Sequence, residues 1–158
     1  MIELETRIKH LQSKMKERDV DAAILLYSRD VLYYANTARP CNLLITPGDA
    51  TLFVRRAHEF VEKEAWIPKK VKGGGFVQIM QELDRLGIKS GTIGLELDVI
   101  PAKFYLNLKK ALPNFDFADI SPLILEQRMI KDKREIEYAK KSCEQVVKAH
   151  ARAREVIR

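Results

Sequence analysis

The side chains best suited to catalysis are scattered along this sequence and do not form a recognisable catalytic motif. The three histidines, His10, His58 and His150, lie far apart on predicted helices rich in Lys, Arg and Glu. His58 is followed by Glu59, but the position four residues after His58 is Glu62, so the zinc-peptidase pattern His-Glu-x-x-His is absent. We therefore predict that these histidines are exposed and that the chain contains no metal-ligating residues.

The candidate nucleophiles also lack the sequence context that would activate them. No serine stands in a Gly-x-Ser-x-Gly elbow. Cys41 and Cys143 are too few and too far apart for a disulfide framework or a Cys-x-x-Cys metal site. We predict two reduced and partly buried thiols, as is usual in the cytosol, and no catalytic residue in this chain.

Two features follow predicted strands, where α/β folds commonly bind ligands. Glu96 and Asp98 come at the end of the apolar strand 92–96, and we interpret them as capping or loop residues, with ligand binding as the alternative. The run Gly73-Gly74-Gly75 precedes an apolar helical stripe and could present backbone N–H groups to a phosphate. It matches neither the dinucleotide fingerprint nor a Walker loop, so a turn into the helix is the favoured interpretation.

The spacing of apolar residues predicts the elements that position these side chains. Leu4, Ile8, Leu11 and Met15 form one stripe of a helix over residues 2–18. Residues 22–27 are continuously apolar, which is typical of a central strand covered on both faces. Helices and strands alternate over residues 1–120, with turn residues 47–50 joining a hairpin, so we predict an α/β fold with a mixed β-sheet flanked by helices.

The C-terminal segment differs from the rest of the chain in charge and pattern. Residues 1–127 carry 18 basic and 17 acidic side chains, whereas residues 128–158 carry ten basic and five acidic ones. From Asp132 onward the pattern is a single long amphipathic helix with an apolar stripe. We predict two parts, an α/β domain over 1–127 and, over 128–158, a linker and the first helix of a second domain that continues beyond Arg158. Such a helix is only marginally stable alone and needs a partner surface.

Charge and hydropathy also bear on the partners and the location of the protein. The basic segment has no aromatic residue after Tyr138, whereas single-stranded nucleic acids need aromatic stacking platforms. No apolar run approaches the length of a membrane span, and the first residues do not resemble a secretory signal. We therefore expect a cytoplasmic protein with neither a nucleic acid nor a membrane as partner.

Five segments together resemble the N-terminal domain of the creatinase/prolidase/aminopeptidase P family, the pita-bread metallopeptidases. Residues 7–15 and 20–25 are similar to its first helix and strand. Residues 30–37 resemble its Tyr-x-Thr-Gly segment, with Asn36 and Thr37 where Thr and Gly are usual. Further matches are Gly91-Thr-Ile-Gly-Leu-Glu96 with Pro101 and Tyr105, and Arg128-Met-Ile-Lys-Asp-Lys-Arg-Glu-Ile136, which resembles the signature that joins the two domains.

The resemblance implies a non-catalytic N-terminal domain of an Xaa-Pro peptidase, similar to Xaa-Pro dipeptidase or aminopeptidase P. Its partners would be its own C-terminal catalytic domain, which binds two divalent metal ions (Mn, Co or Zn), further copies in a homo-oligomer such as a dimer, and proline-containing peptides. Creatinase shares this domain, so the parent substrate stays open among a dipeptide, a longer peptide and a creatine-like amidine.

The resemblance also suggests where this domain would meet a substrate. The domain would wall off the substrate cleft of the parent protein. Loops that follow a strand and a short helix commonly carry functional residues. We therefore expect four residues at the edge of the cleft: Tyr34, Asn36, Thr37 and Arg39. The alternative is a stand-alone binding or dimerisation module without a catalytic partner.

Overall fold

The structure is a computed structural model that describes residues 2–157, with side chains described from residue 4 onward. The strands are β1 (Ala22–Leu25), β2 (Cys41–Ile45), β3 (Ala50–Val54), β4 (Lys69–Lys72), β5 (Gly91–Leu95) and β6 (Phe115–Asp119). The helices are α1 (Ile2–Lys16), α2 (Ser28–Ala35), α3 (His58–Glu64), α4 (Phe76–Arg85), α5 (Ala102–Ala111), α6 (Ser121–Met129) and α7 (Lys133–Val156). The predicted elements are present, most of them with ends shifted by one or two residues.

The six strands form one mixed sheet in the order β4-β3-β2-β1-β5-β6. β1, β5 and β6 are parallel, β2 is antiparallel to both of its neighbours, and β4 is parallel to β3. Five strands therefore run in one direction and only β2 runs in the other. This arrangement, with helices on the sheet and a long C-terminal helix, confirms the predicted fold class.

The sheet is covered on both faces, as the apolar run in β1 predicts. Ala23 and Leu25 belong to the core under α1, α2 and α3, whereas Ala22 and Ile24 belong to the core under α4 and α5. All four are completely buried. Side chains of a strand alternate between the two faces of a sheet, so a strand buried on both faces must be apolar throughout.

One strand glycine is required by the close packing of a helix on the sheet. A Cβ atom added to Gly94 of β5 would lie 2.6 Å from Ile120 Cγ2 and 3.1 Å from Val20 Cγ1. Both neighbours are buried, so neither has free space to move into. Gly94 thus lets Val20, which precedes β1, and Ile120, which precedes α6, pack directly on the sheet.

The contacts within the chain divide it into two units, Met1–Ile124 and Leu125–Arg158. The first contains the sheet and its cores. The predicted domain boundary between residues 127 and 128 lies a little further along, within α6, and as a boundary between domains it stays a prediction.

In the second unit, α7 begins with a capping box. Asp132 Oδ1 accepts from the backbone N–H of Glu135 (2.8 Å), and Glu135 Oε2 accepts from the backbone N–H of Asp132 (2.9 Å). This exchange satisfies two N–H groups that a helix start leaves free. The apolar residues of α7 are all exposed or half-buried, with Ile136 at 45% and Val147 at 67%. Among residues 2–157, no helix combines the length and the apolar character needed to cross a bilayer.

Candidate functional site

The predicted functional residues lie near one edge of the sheet, here the edge formed by the ends of the strands and not by an outer strand. The five strands that run in the same direction end at this edge, and β2 begins there. The loops that follow these strands hold three groups of polar side chains, around Glu64, Glu96 and Arg55. In α/β proteins the carboxyl ends of parallel strands are the usual place for ligands.

Tyr34 is separated from the other three predicted site residues. Its side chain is completely buried in the core beneath α2, and its ring packs edge-on against Tyr33 with the ring centroids 5.0 Å apart. The indole N–H of Trp66 donates to the Tyr34 carbonyl (2.7 Å). In this arrangement Tyr34 supports the loop that follows α2 from below.

Asn36, Thr37 and Arg39 are brought together around Glu64 at the end of α3. Asn36 ends α2 in the left-handed conformation, which Asn tolerates better than most residues, and its Nδ2 donates to the Glu64 carbonyl (3.0 Å). Thr37 Oγ1 donates to Glu64 Oε2 (3.0 Å). Arg39 donates through Nε and Nη2 to Glu64 Oε1 (3.2 and 2.9 Å). Glu64 could not be singled out from the sequence, because it sits among other charged residues of α3.

Glu64 and Arg39 form a charge-assisted hydrogen-bonded pair at the surface. Hydrogen bonding to the Arg39 guanidinium lowers the pKa of Glu64, and the bond from Thr37 lowers it further. The Arg39 guanidinium also lies 4.7 Å from the ring centroid of Phe60, and 44% of its side chain is exposed. This Glu64 cluster is thus a fixed loop with one accessible cation. Its place at a substrate cleft stays a prediction.

Glu96 joins the ends of β5 and β1. Its side chain is completely buried, and its Oε2 accepts from the backbone N–H groups of Leu26 (2.7 Å) and Tyr27 (3.1 Å). Its Oε1 has no hydrogen-bond partner among the described residues. Ser28 is the first helical residue of α2, and the preceding residue, Tyr27, makes no side-chain capping hydrogen bond. Glu96 directly follows β5, and its carboxyl group holds the chain just before α2, which is in line with the interpretation of Glu96 as a capping or loop residue.

The surroundings of Glu96 favour its neutral form. Burial, with a further contribution from the nearby Asp30 carboxyl, raises its pKa to about 8, although the two backbone N–H groups oppose the increase. At neutral pH this carboxyl is therefore mostly protonated. Asp98, the other carboxylate considered from the sequence, is exposed, and its backbone N–H donates to Ser121 Oγ (3.2 Å).

A cavity of about 600 Å³ opens at the same edge, on the side of the sheet covered by α4 and α5. Asn42 Nδ2 donates to the Gly74 carbonyl in its wall (2.7 Å). A Cβ atom on Gly74 would lie 2.1 Å from Arg55 Cγ, so this glycine makes room for the stem of Arg55. The edge cavity is lined by Leu26, Tyr27, Asn42, Arg55, Arg56, Gly74, Gly75, Phe76, Val99, Ile100, Pro101 and Phe104.

The glycine run therefore has a packing role at the turn into α4, in line with the favoured interpretation. Arg55 and Arg56 are not among the residues predicted for the site, although two adjacent arginines directly after a strand are a usable signal in the sequence.

The described residues do not offer a site for the two divalent metal ions that the family resemblance implies. Within residues 2–157, no group of three or more His, Cys, Asp or Glu side chains is arranged to hold a metal ion. His10 and His150 are exposed and His58 is half-buried. We derive no chemical step through a metal in this chain.

Both curated protein sequences and solved structures are similar to this chain. The Xaa-Pro dipeptidase of Pyrococcus horikoshii is 30% identical over 157 residues, which cover 96% of this chain and 42% of that protein. The crystal structure of the prolidase from Pyrococcus horikoshii OT3 superposes with a TM-score of 0.82 at 27% identity, over 97% of this chain and 43% of that one. For the prolidase from Pyrococcus furiosus the TM-score is 0.77 at 27% identity, over 92% and 42%.

These matches share one feature, which is their partial coverage of the relatives. The chain spans just over two-fifths of the length of the curated relatives it matches. Residues 7–130, which include the whole sheet, match the family described as Creatinase/Prolidase N-terminal domain. The family match, the sequence identity and the superposition agree, and the chain therefore belongs to the creatinase/prolidase N-terminal domain family.

Proposed function

We propose that this chain is the non-catalytic N-terminal domain of an Xaa-Pro dipeptidase-like metallopeptidase. The observation that carries the proposal is the coverage: nearly all of this chain aligns with less than half of an Xaa-Pro dipeptidase. The remaining part of the parent would be the catalytic domain and would hold two divalent metal ions, Mn, Co or Zn. The substrates would be proline-containing peptides.

In this proposal the chain itself supplies structure and substrate positioning. The sheet, covered on both faces, gives rigid support for the loops at its edge. The Glu64 cluster holds Arg39 with its guanidinium partly open to solvent, so it presents a fixed cation to the substrate cleft. A fixed, partly exposed guanidinium is suited to binding a peptide carbonyl or carboxylate without taking part in bond cleavage.

The first test compares the 158-residue chain with the same chain extended by the coding sequence downstream of it. We expect no hydrolysis of an Xaa-Pro dipeptide by the chain alone with added Mn²⁺, Co²⁺ or Zn²⁺. Bridging two metals takes several carboxylates at one point, and the described residues form no such group. The extended protein should hydrolyse the dipeptide in a metal-dependent way.

Two outcomes would contradict this proposal. Metal-dependent turnover that co-purifies with the chain alone would show that this domain is itself catalytic. A stop codon directly after Arg158 would leave no catalytic partner in the same chain and would favour the stand-alone binding or dimerisation module.

A second test addresses the loop at the proposed cleft edge. In the extended protein, Arg39→Ala should raise KM severalfold with little change in kcat, because Arg39 would bind the substrate without touching the scissile bond. Lys63→Ala is a matched control, since it removes an exposed positive charge next to Glu64 and leaves the loop intact. If both variants keep wild-type kinetics, Arg39 only fixes the loop to α3.

We further propose that the parent protein is a cytoplasmic homo-oligomer. Its location is supported by the two free cysteines, of which Cys41 is buried and Cys143 is exposed. The exposed apolar residues of α7 offer a surface for association with the catalytic domain or with another copy.

A further inference from the structure

We propose that the edge cavity binds a small organic anion, namely a carboxylate or phosphate group carried on an apolar, aromatic-sized body. The inference goes beyond the proposed peptidase role and does not depend on it. It rests on three properties of the cavity: its charge, its apolar wall and its position in the fold.

The charge of the edge cavity is positive and uncompensated. Arg55 and Arg56 line it, and no acidic side chain does. Within the described part of the chain, neither arginine takes part in an ion pair, in contrast to Arg39 with Glu64 and Arg85 with Glu82. Guanidinium groups match the oxygens of carboxylates and phosphates with paired hydrogen bonds. Two of them at one opening therefore favour an anion.

The opposite wall of the cavity is apolar and partly pre-formed. The rings of Phe76 and Phe104 pack with their centroids 4.8 Å apart and their planes at 57°. Ile100 is half-buried, whereas Val99 is 39% exposed. Ligand sites for small molecules are typically clefts of this size with apolar walls and a few polar groups. An apolar body placed here would cover these residues.

The fold itself holds these two walls of the cavity next to each other. Arg55 and Arg56 follow β3 directly, and Phe76 begins α4 just after β4, so both come from the ends of neighbouring parallel strands. The packing of Arg55 on Gly74 and the Asn42–Gly74 hydrogen bond fix the turn between them. The N-terminal end of α4 adds a smaller positive potential to the same wall. The site is thus built by the core of the fold.

The test measures binding to the full 158-residue chain by two-dimensional NMR and calorimetry. The probes are 3-phenylpropionate and phenyl phosphate as anions with an aromatic body, 3-phenylpropionamide as the neutral counterpart, and inorganic phosphate as an anion without a body. We expect saturable binding of at least one aromatic anion, with shifts concentrated in the lining residues. The amide and inorganic phosphate should each bind at least about tenfold more weakly than that anion.

The variants test the arginines directly. Arg56→Gln combined with Arg55→Met, which retains most of the stem that packs on Gly74, should weaken binding of the anion about tenfold or more. Arg18→Gln is the matched control: it removes one exposed positive charge between α1 and β1, at the other edge of the sheet, and should leave binding unchanged.

Several results would overturn the proposal. One is that neither aromatic anion shows saturable binding. This result is obtained with the wild-type protein alone, so misfolding of a variant cannot explain it. Another is equal binding of 3-phenylpropionate and its amide, which would remove the role of charge. Equal binding of inorganic phosphate would remove the role of the apolar wall. Undiminished binding by a folded double arginine variant would place the site elsewhere. The comparison of 3-phenylpropionate with phenyl phosphate identifies the preferred head group.

Discussion

In the wild-type protein, the titration of Glu96 is expected to lower the free energy of unfolding between about pH 5 and pH 8. The Glu96→Gln variant should not show this decrease. The pKa of Glu96 is raised to about 8 in the folded protein by burial and by Asp30, whereas an unfolded glutamate titrates near pH 4.5. The folded state therefore holds a proton that the unfolded state has released. The stabilising effect of this proton is complete below pH 4.5 and is lost as the pH rises to 8, by up to ~1.4 kcal/mol per pH unit.

Glutamine keeps the shape of the side chain and an oxygen for the N–H groups of Leu26 and Tyr27, but it does not titrate. The two proteins should have similar free energies of unfolding near pH 5, and the variant should be more stable by a few kcal/mol at pH 8.5. Urea unfolding at intervals of half a pH unit measures this difference directly. The titratable groups other than Asp30, which interacts with Glu96, are common to both proteins, and their contributions cancel in the comparison.

Glu82→Gln is a control at a carboxyl group whose pKa is shifted in the opposite direction. Glu82 is also buried, but Arg85 and Lys69 donate to its carboxylate and lower its pKa. Its contribution is present above the unfolded pKa and is lost only as the pH falls below it, so the Glu82 variant should be less stable than wild type by a constant amount from pH 5 to 8.5. A Glu96 variant that follows the same flat course would show that Glu96 is ionised in the folded protein.

A second large effect is expected from Gly94→Ala. The added methyl group would meet Ile120 and Val20 at 2.6 and 3.1 Å, in a part of the core where both neighbours are buried. Forcing extra volume into such a site shifts side chains and backbone, and we expect a loss of about 1–3 kcal/mol in the free energy of unfolding. Chemical denaturation of the 158-residue chain measures this loss.

Gly48→Ala is the matched control for this substitution. Gly48 lies in the turn between β2 and β3, and a Cβ atom there has no neighbour within 4 Å. The variant should stay within about 0.5 kcal/mol of wild type, as surface substitutions usually do. Equal stabilities of the Gly94 and Gly48 variants would show that the side chains of Ile120 and Val20 can move away from residue 94 at little cost.

The fold was largely predictable from the sequence because its strongest signals are local. The apolar stripe of α1, the continuous apolar run of β1 and the turn at residues 47–50 each satisfy a backbone preference and a burial pattern at once. Sequence patterns placed the helix and strand ends less well, because distant partners decide them. The start of α2, for example, is held by Glu96, which lies 70 residues from Leu26.

The candidate site was only partly predictable for the same reason. The loop at residues 36–39 was found through a family resemblance, but its partner Glu64 is 25 residues away from Arg39 and belongs to another helix. Tyr34 stands two residues before Asn36 and yet faces the core, because α2 turns its side chain inward. The edge cavity joins the ends of β3, β4 and β5, and no local pattern in one segment reports such a combination.

The position of β1 in the sheet has a consequence for the synthesis of this protein. β1 can pair with β2 as soon as residue 45 has left the ribosome, but its other partner, β5, is encoded roughly 70 residues after it. At about 5–20 residues per second, this leaves the edge of a fully apolar strand uncovered for several seconds. Closure of so long a loop is also intrinsically slow. A nascent chain of about 90 residues should therefore be the species most prone to aggregation and the one that chaperones bind most strongly.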